Sequence, residues 1–330
     1  FAIQVAANII RKYEQGSMFI LDFEQSNKED RVRMVTGMST EELAERVTIK
    51  RTGISTETVL EMVYQIKNLK MQYKKELMVE NKEGVIDSTT GKLKKILPPT
   101  VIMIDSVPMM LPRDDMFKEE MSGQMSATQA AKANAQLMRR LVQPISEANI
   151  IVIFINHINQ MVSTGPMPVA ADINYLKQGE TLPGGRAIQY QSNTLIKITP
   201  STKLTEDKKY KIKGYETKIE LVKSRTAPAG NVITMIYNQA EGFDSELTTF
   251  DYLKSNNMIK GAGVGMYLES LPDTKFRMSN LKEKLAEDEE FYTHFYAAAD
   301  LTLEGSLKES SRFDYELKVE PELEVFEDGE

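Results

Sequence analysis

Apolar runs of strand length alternate along this chain with stretches in which apolar residues recur at helical spacing. The runs SMFILDFE from Ser17, VIMID at 101–105 and IIVIFIN at 150–156 predict strands. VIMID suits a sheet covered on both faces, and IIVIFIN is also apolar except for its last residue. Helical spacing over 1–15 predicts a helix that Gly16 ends, since glycine commonly follows a helix C-terminus. Strands alternating with helices indicate an α/β fold with a mostly parallel sheet and right-handed crossovers.

The rest of the chain supplies further elements and a change of scale near its C-terminal end. In chain order the pattern predicts a short strand at VTIKR, a helix over Thr56–Lys75, an inserted arm or hairpin over Glu76–Pro99, a helix over Ala127–Ala148, a loop over Gln160–Pro183, and partly antiparallel strands at NTLIKI, YETKIELVK and NVITMIY. After Thr248 the pattern is helical and smaller in scale. The predicted organisation is a core over 1–247 with the arm at about 76–99, a small α+β subdomain over 248–310, and an acidic tail over 311–330.

Composition bounds the class of protein. The 330 residues, 41% of them hydrophobic and 27% charged, can form a proper core and have an ordinary globular profile. No apolar run approaches the ~20 residues that cross a bilayer. The apolar opening lacks a basic leader and soon meets Arg11 and Lys12, which favours a packed helix over a secretory signal. With no cysteine, disulfides and thiolate metal sites are excluded, and we expect a cytoplasmic protein with no membrane partner.

The net charge of −7 at first disfavours a nucleic-acid partner. The acidity is unevenly placed, because the stretch from Asp314 to Glu330 holds eight acidic residues and one lysine, Lys318. A DNA-binding surface needs local positive potential rather than a basic chain. The charge therefore leaves DNA binding open.

Three predicted strands end in polar residues with chemical potential: Asp22-Phe23-Glu24, Asp105-Ser106 and Asn156-His157. In open α/β sheets, ligands bind beyond the carboxyl ends of the strands. There Asp105 could hold the water shell of Mg²⁺, and Glu24 could orient a water on a terminal phosphate. His157 could hydrogen-bond a phosphate. Singly, each residue also fits a loop start, an exposed turn or an inert polar contact, but their order on consecutive strands favours a site.

Two further motifs lie later in the chain. Gly184-Gly185, followed by Arg186, permits positive φ and close backbone approach, although an ordinary turn would also use it. In KSRTAPAG, Lys223 and Arg225 are two residues apart on a predicted strand and so point to one side. Paired cations suit phosphate binding, and a solvated edge is the simpler alternative.

The loop from Met161 to Leu182 is too long and too apolar to be idle in a compact domain. Its apolar residues are Met161, Val162, Met167, Val169, Ile173, Tyr175 and Leu176. Such a loop could insert side chains between bases, bury itself in a partner subunit or fold over its own core.

The order of these motifs resembles that of the RecA family of recombinases. FILDFE is similar to the strand with the family's water-activating glutamate, which maps onto Glu24. VIMIDSVPMMLP resembles the magnesium-site strand, with Asp105 and Ser106, and IIVIFINHINQ the strand that ends at the phosphate-sensing position, His157.

Later motifs extend the resemblance over most of residues 1–310. LPGGRAIQY resembles the glycine pair that closes the family's second DNA-binding loop. KSRTAP resembles the basic pair, here Lys223 and Arg225, that reaches a neighbouring subunit's ATP. AEGFDSELTTFDYLKSNNMIKGAGVGMYL resembles the start of the family's C-terminal domain.

The resemblance implies a DNA-dependent ATPase that uses ATP and Mg²⁺, forms a homo-oligomeric filament on single-stranded DNA and exchanges strands with a homologous duplex. Catalysis falls to Glu24, Mg²⁺ binding through water to Asp105, and ATP contacts to Asp105, Ser106, His157, Lys223 and Arg225. The first DNA loop is expected near 113–128 and the second over about 156–184. The implied DNA-binding residues are Arg113, Lys118, Asn156, Met161, Met167, Tyr175, Gly184, Gly185 and Arg186.

Several departures from the family pattern stand out. The sensor position, usually glutamine in the bacterial family, is His157, a family cation is replaced by Gln189, and the arm is additional, which favours a virus-encoded branch. No G-x-x-x-x-G-K-[ST] motif occurs, although in the family that loop precedes a helix like 1–15. We therefore expect a fragment without the phosphate-binding loop that binds ATP poorly or not at all.

Three alternative readings stay open. A hexameric DNA helicase with the same core would share the strand ends, although KSRTAP and the match after Ala240 favour a recombinase. A non-catalytic recombination mediator or filament-capping paralogue would account for the missing phosphate loop. A plain α/β scaffold is disfavoured by the combined motifs.

Overall fold

The computed structural model describes residues 1–117, 123–160, 175–205, 212–226 and 228–310. The first part comprises α1 (Ala2–Arg11), β1 (Ser17–Asp22), α2 (Glu29–Thr36), α3 (Thr40–Arg46), β2 (Val47–Lys50), α4 (Thr56–Gln72), α5 (Lys74–Leu77), β3 (Val79–Glu80), β4 (Lys95–Ile96) and β5 (Thr100–Asp105). The middle comprises α6 (Arg113–Met116), α7 (Gly123–Glu147), β6 (Ile150–Phe154), β7 (Asn159–Gln160), β8 (Glu180–Thr181), α8 (Arg186–Gln191), β9 (Thr194–Thr205), β10 (Ile212–Ser224), β11 (Val232–Asn238) and β12 (Gly242–Asp244). The last part comprises α9 (Ser245–Ser255), β13 (Ile259–Lys260), β14 (Met266–Leu268), β15 (Leu271–Phe276), α10 (Leu281–Glu287) and α11 (Glu289–Ser310).

A parallel sheet of order β2-β1-β5-β6 forms the centre of the fold and confirms the predicted α/β class. Both faces of β5 are buried, as its uninterrupted apolar sequence predicted. Ile102 and Ile104 pack into the core beneath α4 and α7, whereas Val101 and Met103 pack into the core beneath α1 and α2. The register pairs Asp22 with Asp105, so the carboxyl ends of β1 and β5 coincide.

The later strands form a sheet of their own, of order β12-β11-β10-β9, and every pairing in it is antiparallel. The sequence predicted strands here that are partly antiparallel, but not a separate sheet. The strands β9 and β10 run for 12 and 13 residues, well beyond the predicted NTLIKI and YETKIELVK. The extension is polar and carries little apolar alternation. This extension is recognised only by its backbone pairing across the sheet, for example between Lys203 and Tyr215.

The role predicted for Gly16 was wrong. Helix α1 ends at Arg11, and Gly16 does not have a positive φ. A Cβ at Gly16 would lie 2.2 Å from the backbone oxygen of Ile10. Glycine is needed there because the chain passes close to the end of α1, not because it caps the helix.

The two ends of the inserted arm form the short strands β3 and β4, which pair in antiparallel fashion as a hairpin. Two contacts tie it to the segment after α1. The Lys82 backbone N–H donates to the Tyr13 hydroxyl at 3.1 Å, and the Lys12 ammonium lies 2.7 Å from Glu83.

A second buried cluster lies in the C-terminal part of the chain. It is built on α9, α10, α11 and the antiparallel sheet β13-β14-β15. Phe250, Phe276, Phe291 and Phe295 are its largest fully buried side chains. Among the described residues, no helix is both long and apolar enough to span a membrane.

Lys70 is a buried cation that joins α4 to the segments that lead into β5 and β6. From α4, its ammonium donates to the carbonyl of Pro98 at 2.7 Å and to that of Ala148 at 2.9 Å. Burial lowers the pKa of Lys70 from 10.5 to about 8. Between these two values, the folded protein has released a proton that the unfolded chain still holds, so folding stability rises with pH across this window.

Lys70→Met is expected to remove this pH dependence. The free energy of unfolding of the wild type should rise, relative to the variant, by about 2 kcal/mol between pH 7 and pH 9.5. At pH 7 the variant should itself lose about 1–3 kcal/mol, because two buried carbonyls lose their donor. Urea unfolding at both pH values measures this. Lys67→Met, which removes only an ion pair at 2.7 Å with Glu147, is the control, and equal pH slopes for wild type and Lys70→Met would contradict the assignment.

Candidate active site at the edge of the parallel sheet

The ends of three adjacent strands bring Ser106 and His157 into contact with one carboxylate oxygen of Glu24. The Ser106 hydroxyl donates to Glu24 Oε1, and His157 Nε2 lies 3.2 Å from the same oxygen. Ser106 is fully buried, whereas the side chains of Glu24 and His157 are 34% and 55% exposed. The carboxylate is thus held from the protein side and remains open to a ligand. The sequence placed these residues along one rim, and the structure puts them in contact.

Asp105 lies beside this group at the end of β5, and its peptide bond to Ser106 is cis. Burial raises the pKa of Asp105 above its ordinary value, a hydrogen bond from Asn27 opposes the rise, and the charges of Glu24 and Asp22 add to it. A bound cation would favour the ionised form. The described residues contain no group of three or more carboxylates and imidazoles able to hold a metal by themselves. One carboxylate with a neighbouring hydroxyl fits Mg²⁺, which keeps waters and shares its coordination with phosphates.

A polar network behind Asp105 escaped the sequence analysis. The fully buried Asp22 accepts from the backbone N–H groups of Ser26, at 3.1 Å, and Asn27, at 2.8 Å. The Asn27 side chain donates to Asp105 Oδ2 at 2.8 Å, and Arg51 Nε donates to the Asn27 carbonyl at 3.1 Å. A polar loop after a strand gives no signal of such a network, since its partners are distant in sequence.

The glycine pair lies where two polar side chains fix the backbone. Asn156 donates to the Pro183 carbonyl at 2.9 Å, and Asn134 of α7 donates to the Gly184 carbonyl at 3.0 Å. Gly184 and Gly185 have φ values of +87° and +84°, as the motif predicted. A Cβ at Gly184 would lie 2.3 Å from Val107 Cγ1. The pair thus seats the start of α8 directly against the segment that follows Ser106.

Gly184→Ala should therefore destabilise the protein more than an ordinary glycine substitution. We expect a loss of about 2–4 kcal/mol in the free energy of unfolding, from the positive φ together with the clash against Val107. Gly230→Ala is the matched control, because Gly230 also has a positive φ of +99° but open space around its Cβ position. That control should lose only about 1–2 kcal/mol. Equal losses in chemical denaturation would show that the close approach to Val107 does not matter.

The basic pair contacts the C-terminal end of α8. Lys223 Nζ donates to the carbonyls of Gln189, at 2.9 Å, and Tyr190, at 2.8 Å, and Arg225 donates to the Tyr190 carbonyl at 3.2 Å. Burial, and to a lesser degree the charge of Arg225, lowers the pKa of Lys223. Cations satisfy the free carbonyls at a helix C-terminus. Both side chains reach this helix end. Only Lys223 lies on β10, because the strand ends at Ser224, so the prediction that one strand carries both residues was wrong for Arg225.

Tyr175 packs against α8, and Arg186 is the first residue of that helix. The Tyr175 hydroxyl lies 3.5 Å from Gln189 Oε1, and the Tyr175 carbonyl accepts from Lys197 at 2.9 Å. Burial raises the pKa of Tyr175. Arg186 is exposed. The segment before α8 and the basic pair therefore meet on one helix.

Arg113 is engaged by acidic residues of α4. Its guanidinium lies 2.8 Å from both carboxylate oxygens of Glu61, and its backbone N–H donates to Glu57 at 2.8 Å. A DNA phosphate would have to compete with Glu61 for this cation. Lys118, Met161 and Met167 lie outside the described residues.

A parallel sheet with helices on both faces and polar strand ends along one edge defines an α/β protein of the class that binds ligands at that edge. The family model described as the RecA N-terminal domain matches residues 52–243, more than half of the chain. The chain therefore belongs to the RecA family. All the predicted site residues except Glu24 lie within the matched range.

Curated relatives agree with this assignment. "Protein RecA" of Staphylococcus aureus strains JH9, Newman and N315 is in each case 27% identical over 205 residues, which cover 56% of this chain and 54% of the relative. The chain thus spans about half the length of the curated relatives it matches.

Proposed function

We propose that the protein is an ATP-dependent DNA recombinase that forms filaments on single-stranded DNA and promotes homologous pairing and strand exchange. The observation that carries the proposal is the convergence of Ser106 and His157 on Glu24 Oε1 beside Asp105. Family membership supplies the context, because the matched residues include Asp105, Ser106 and His157.

In this proposal Glu24 orients the water that attacks the terminal phosphate of ATP. Its carboxylate is partly exposed, and Ser106 and His157 fix its position, so a water on its outer side can be aligned and can lose a proton to it. Ser106 and His157 contact Glu24 from two further strands. A change at the phosphate is thereby passed to the ends of β5 and β6.

Asp105, with Ser106 beside it, would hold Mg²⁺ through its water shell. When bound, that ion neutralises charge on the phosphates of ATP. By the resemblance to the family, Lys223 and Arg225 would act on the ATP of a neighbouring subunit. Within the described part of this chain, their side chains donate to carbonyls of α8. Their release from α8 on ATP binding would disturb the helix that follows the second DNA loop.

The DNA interface would use the segments near Arg113 and Lys118 and the loop over about 156–184. Asn156, Met161, Met167, Tyr175, Gly184, Gly185 and Arg186 are assigned to it. Phosphate contacts would supply affinity without sequence preference, and apolar side chains would stack on or between bases. Single-stranded DNA is then the first partner and a homologous duplex the second.

A strand-exchange assay separates this proposal from a ring helicase of the same family. With ATP, circular single-stranded DNA and a homologous linear duplex, the protein, expressed with any sequence its gene places before Phe1, should form joint molecules. A heterologous duplex should give none. Unwinding of a forked duplex irrespective of homology, without joint molecules, would instead support a helicase, and neither activity would support a non-catalytic mediator.

A further inference from the structure

We propose that Asn27 is the positioning residue that fixes the carboxylate of Asp105 in the orientation needed to hold the metal of a metal-bound nucleotide. The role rests on the proposed function of this site. Asn27 is 8% exposed, and its side-chain amide donates to Asp105 Oδ2 at 2.8 Å across 78 residues of sequence.

Asn27 is held rigidly by the ends of two other strands. Its backbone N–H donates to Asp22 Oδ2 at 2.8 Å, at the end of β1. Its backbone carbonyl accepts from Arg51 Nε at 3.1 Å, just after β2. Because Arg51 Nε also lies 3.8 Å from Asp22 Oδ2, the three residues brace one another. The amide that reaches Asp105 therefore starts from a backbone fixed on both sides.

The chemical consequence concerns which oxygen of Asp105 is available. The Asn27 amide takes one acceptor site of Oδ2, which favours Oδ1 as the oxygen that accepts from a water in the shell of a metal. Residues that hydrogen-bond a metal-holding carboxylate orient it, and their loss typically costs about 10–100-fold in metal affinity. A donor is also needed because the Asp105 carboxylate lies close to the charges of Glu24 and Asp22.

The test measures the Mg²⁺ concentration that half-saturates ATP binding, by calorimetry on the protein expressed with any sequence its gene places before Phe1. Asn27→Leu keeps the approximate volume but removes the donor, and it should raise this concentration about 10-fold or more. Asn68→Leu, the same change at an exposed position on α4, should leave it unchanged.

A double-mutant cycle with Asp105→Asn distinguishes positioning from general destabilisation. If Asn27 acts through Asp105, Asn27→Leu should add little to the Mg²⁺ requirement of Asp105→Asn. Asn27→Leu with a lower melting temperature but an unchanged Mg²⁺ requirement would overturn the role and leave the proposed function standing. A wild-type protein whose ATP binding ignores Mg²⁺ would overturn both.

Discussion

Glu24→Gln is expected to lower DNA-stimulated ATP turnover by about 100-fold or more while ATP-dependent binding to single-stranded DNA persists. Glutamine keeps the shape of the side chain and can still hydrogen-bond Ser106 and His157, but it cannot take a proton from water. Chemistry should fail while the site stays assembled. Turnover by a coupled-enzyme assay and DNA binding by fluorescence anisotropy measure the two parts separately.

The exposed Glu14, which precedes the amino end of β1 whereas Glu24 follows its carboxyl end, offers a matched control. Glu14→Gln should leave both turnover and DNA binding at the wild-type level. Unchanged hydrolysis in Glu24→Gln would remove its catalytic assignment, and loss of DNA binding together with hydrolysis would show that Glu24 assembles the site instead.

Replacing Lys223 and Arg225 together by alanine should lower DNA-stimulated turnover by about 1,000-fold, the effect of losing cations that stabilise phosphoryl transfer from a neighbouring subunit. The same change also removes the donors at the C-terminal end of α8. Lys218→Ala, at an exposed position on β10, the strand that carries Lys223, controls for loss of charge alone.

Mixing variants separates action between subunits from damage to α8. A Glu24→Gln subunit still carries its cations, and a Lys223→Ala/Arg225→Ala subunit still carries Glu24. If the cations act on the neighbour, filaments that mix the two variants should hydrolyse ATP faster than either variant alone. A mixture no more active than its components would falsify the assignment between subunits.

Burial on both faces is what made the centre of the fold predictable. An uninterrupted run such as VIMID at 101–105 suits a strand with both faces covered, and the structure buries Val101 through Ile104 completely. Parallel neighbours then align their carboxyl ends, so residues that follow such strands come together without further information. This is why Glu24, Ser106 and His157 could be grouped from sequence.

The hydrogen bonds that support the site and the core could not be predicted in this way. Asn27 lies in a loop without periodicity, and its partner Asp105 is 78 residues away. Lys70 did leave a signal, because it lies seven residues after Val63 on the apolar face of α4, where a lysine is out of place. Its two acceptors are backbone carbonyls, which sequence does not mark.

At three kinds of position, the structure differs from what the sequence indicated because of contacts that the sequence does not mark. Gly16 fits a helix cap by sequence, yet close packing against Ile10 decides its identity. The length of β9 and β10 depends on backbone pairing through polar residues, which carries no hydrophobic pattern. The sequence shows Arg113 as a cation open to DNA, whereas in the tertiary fold its guanidinium contacts Glu61.

The most direct test of the central claim is ATP hydrolysis by the protein, expressed with any sequence its gene places before Phe1, with and without single-stranded DNA. We predict that single-stranded DNA stimulates hydrolysis strongly and that Glu24→Gln abolishes the stimulated rate. Hydrolysis that is absent, or that is present but indifferent to DNA and to Glu24, would contradict the account.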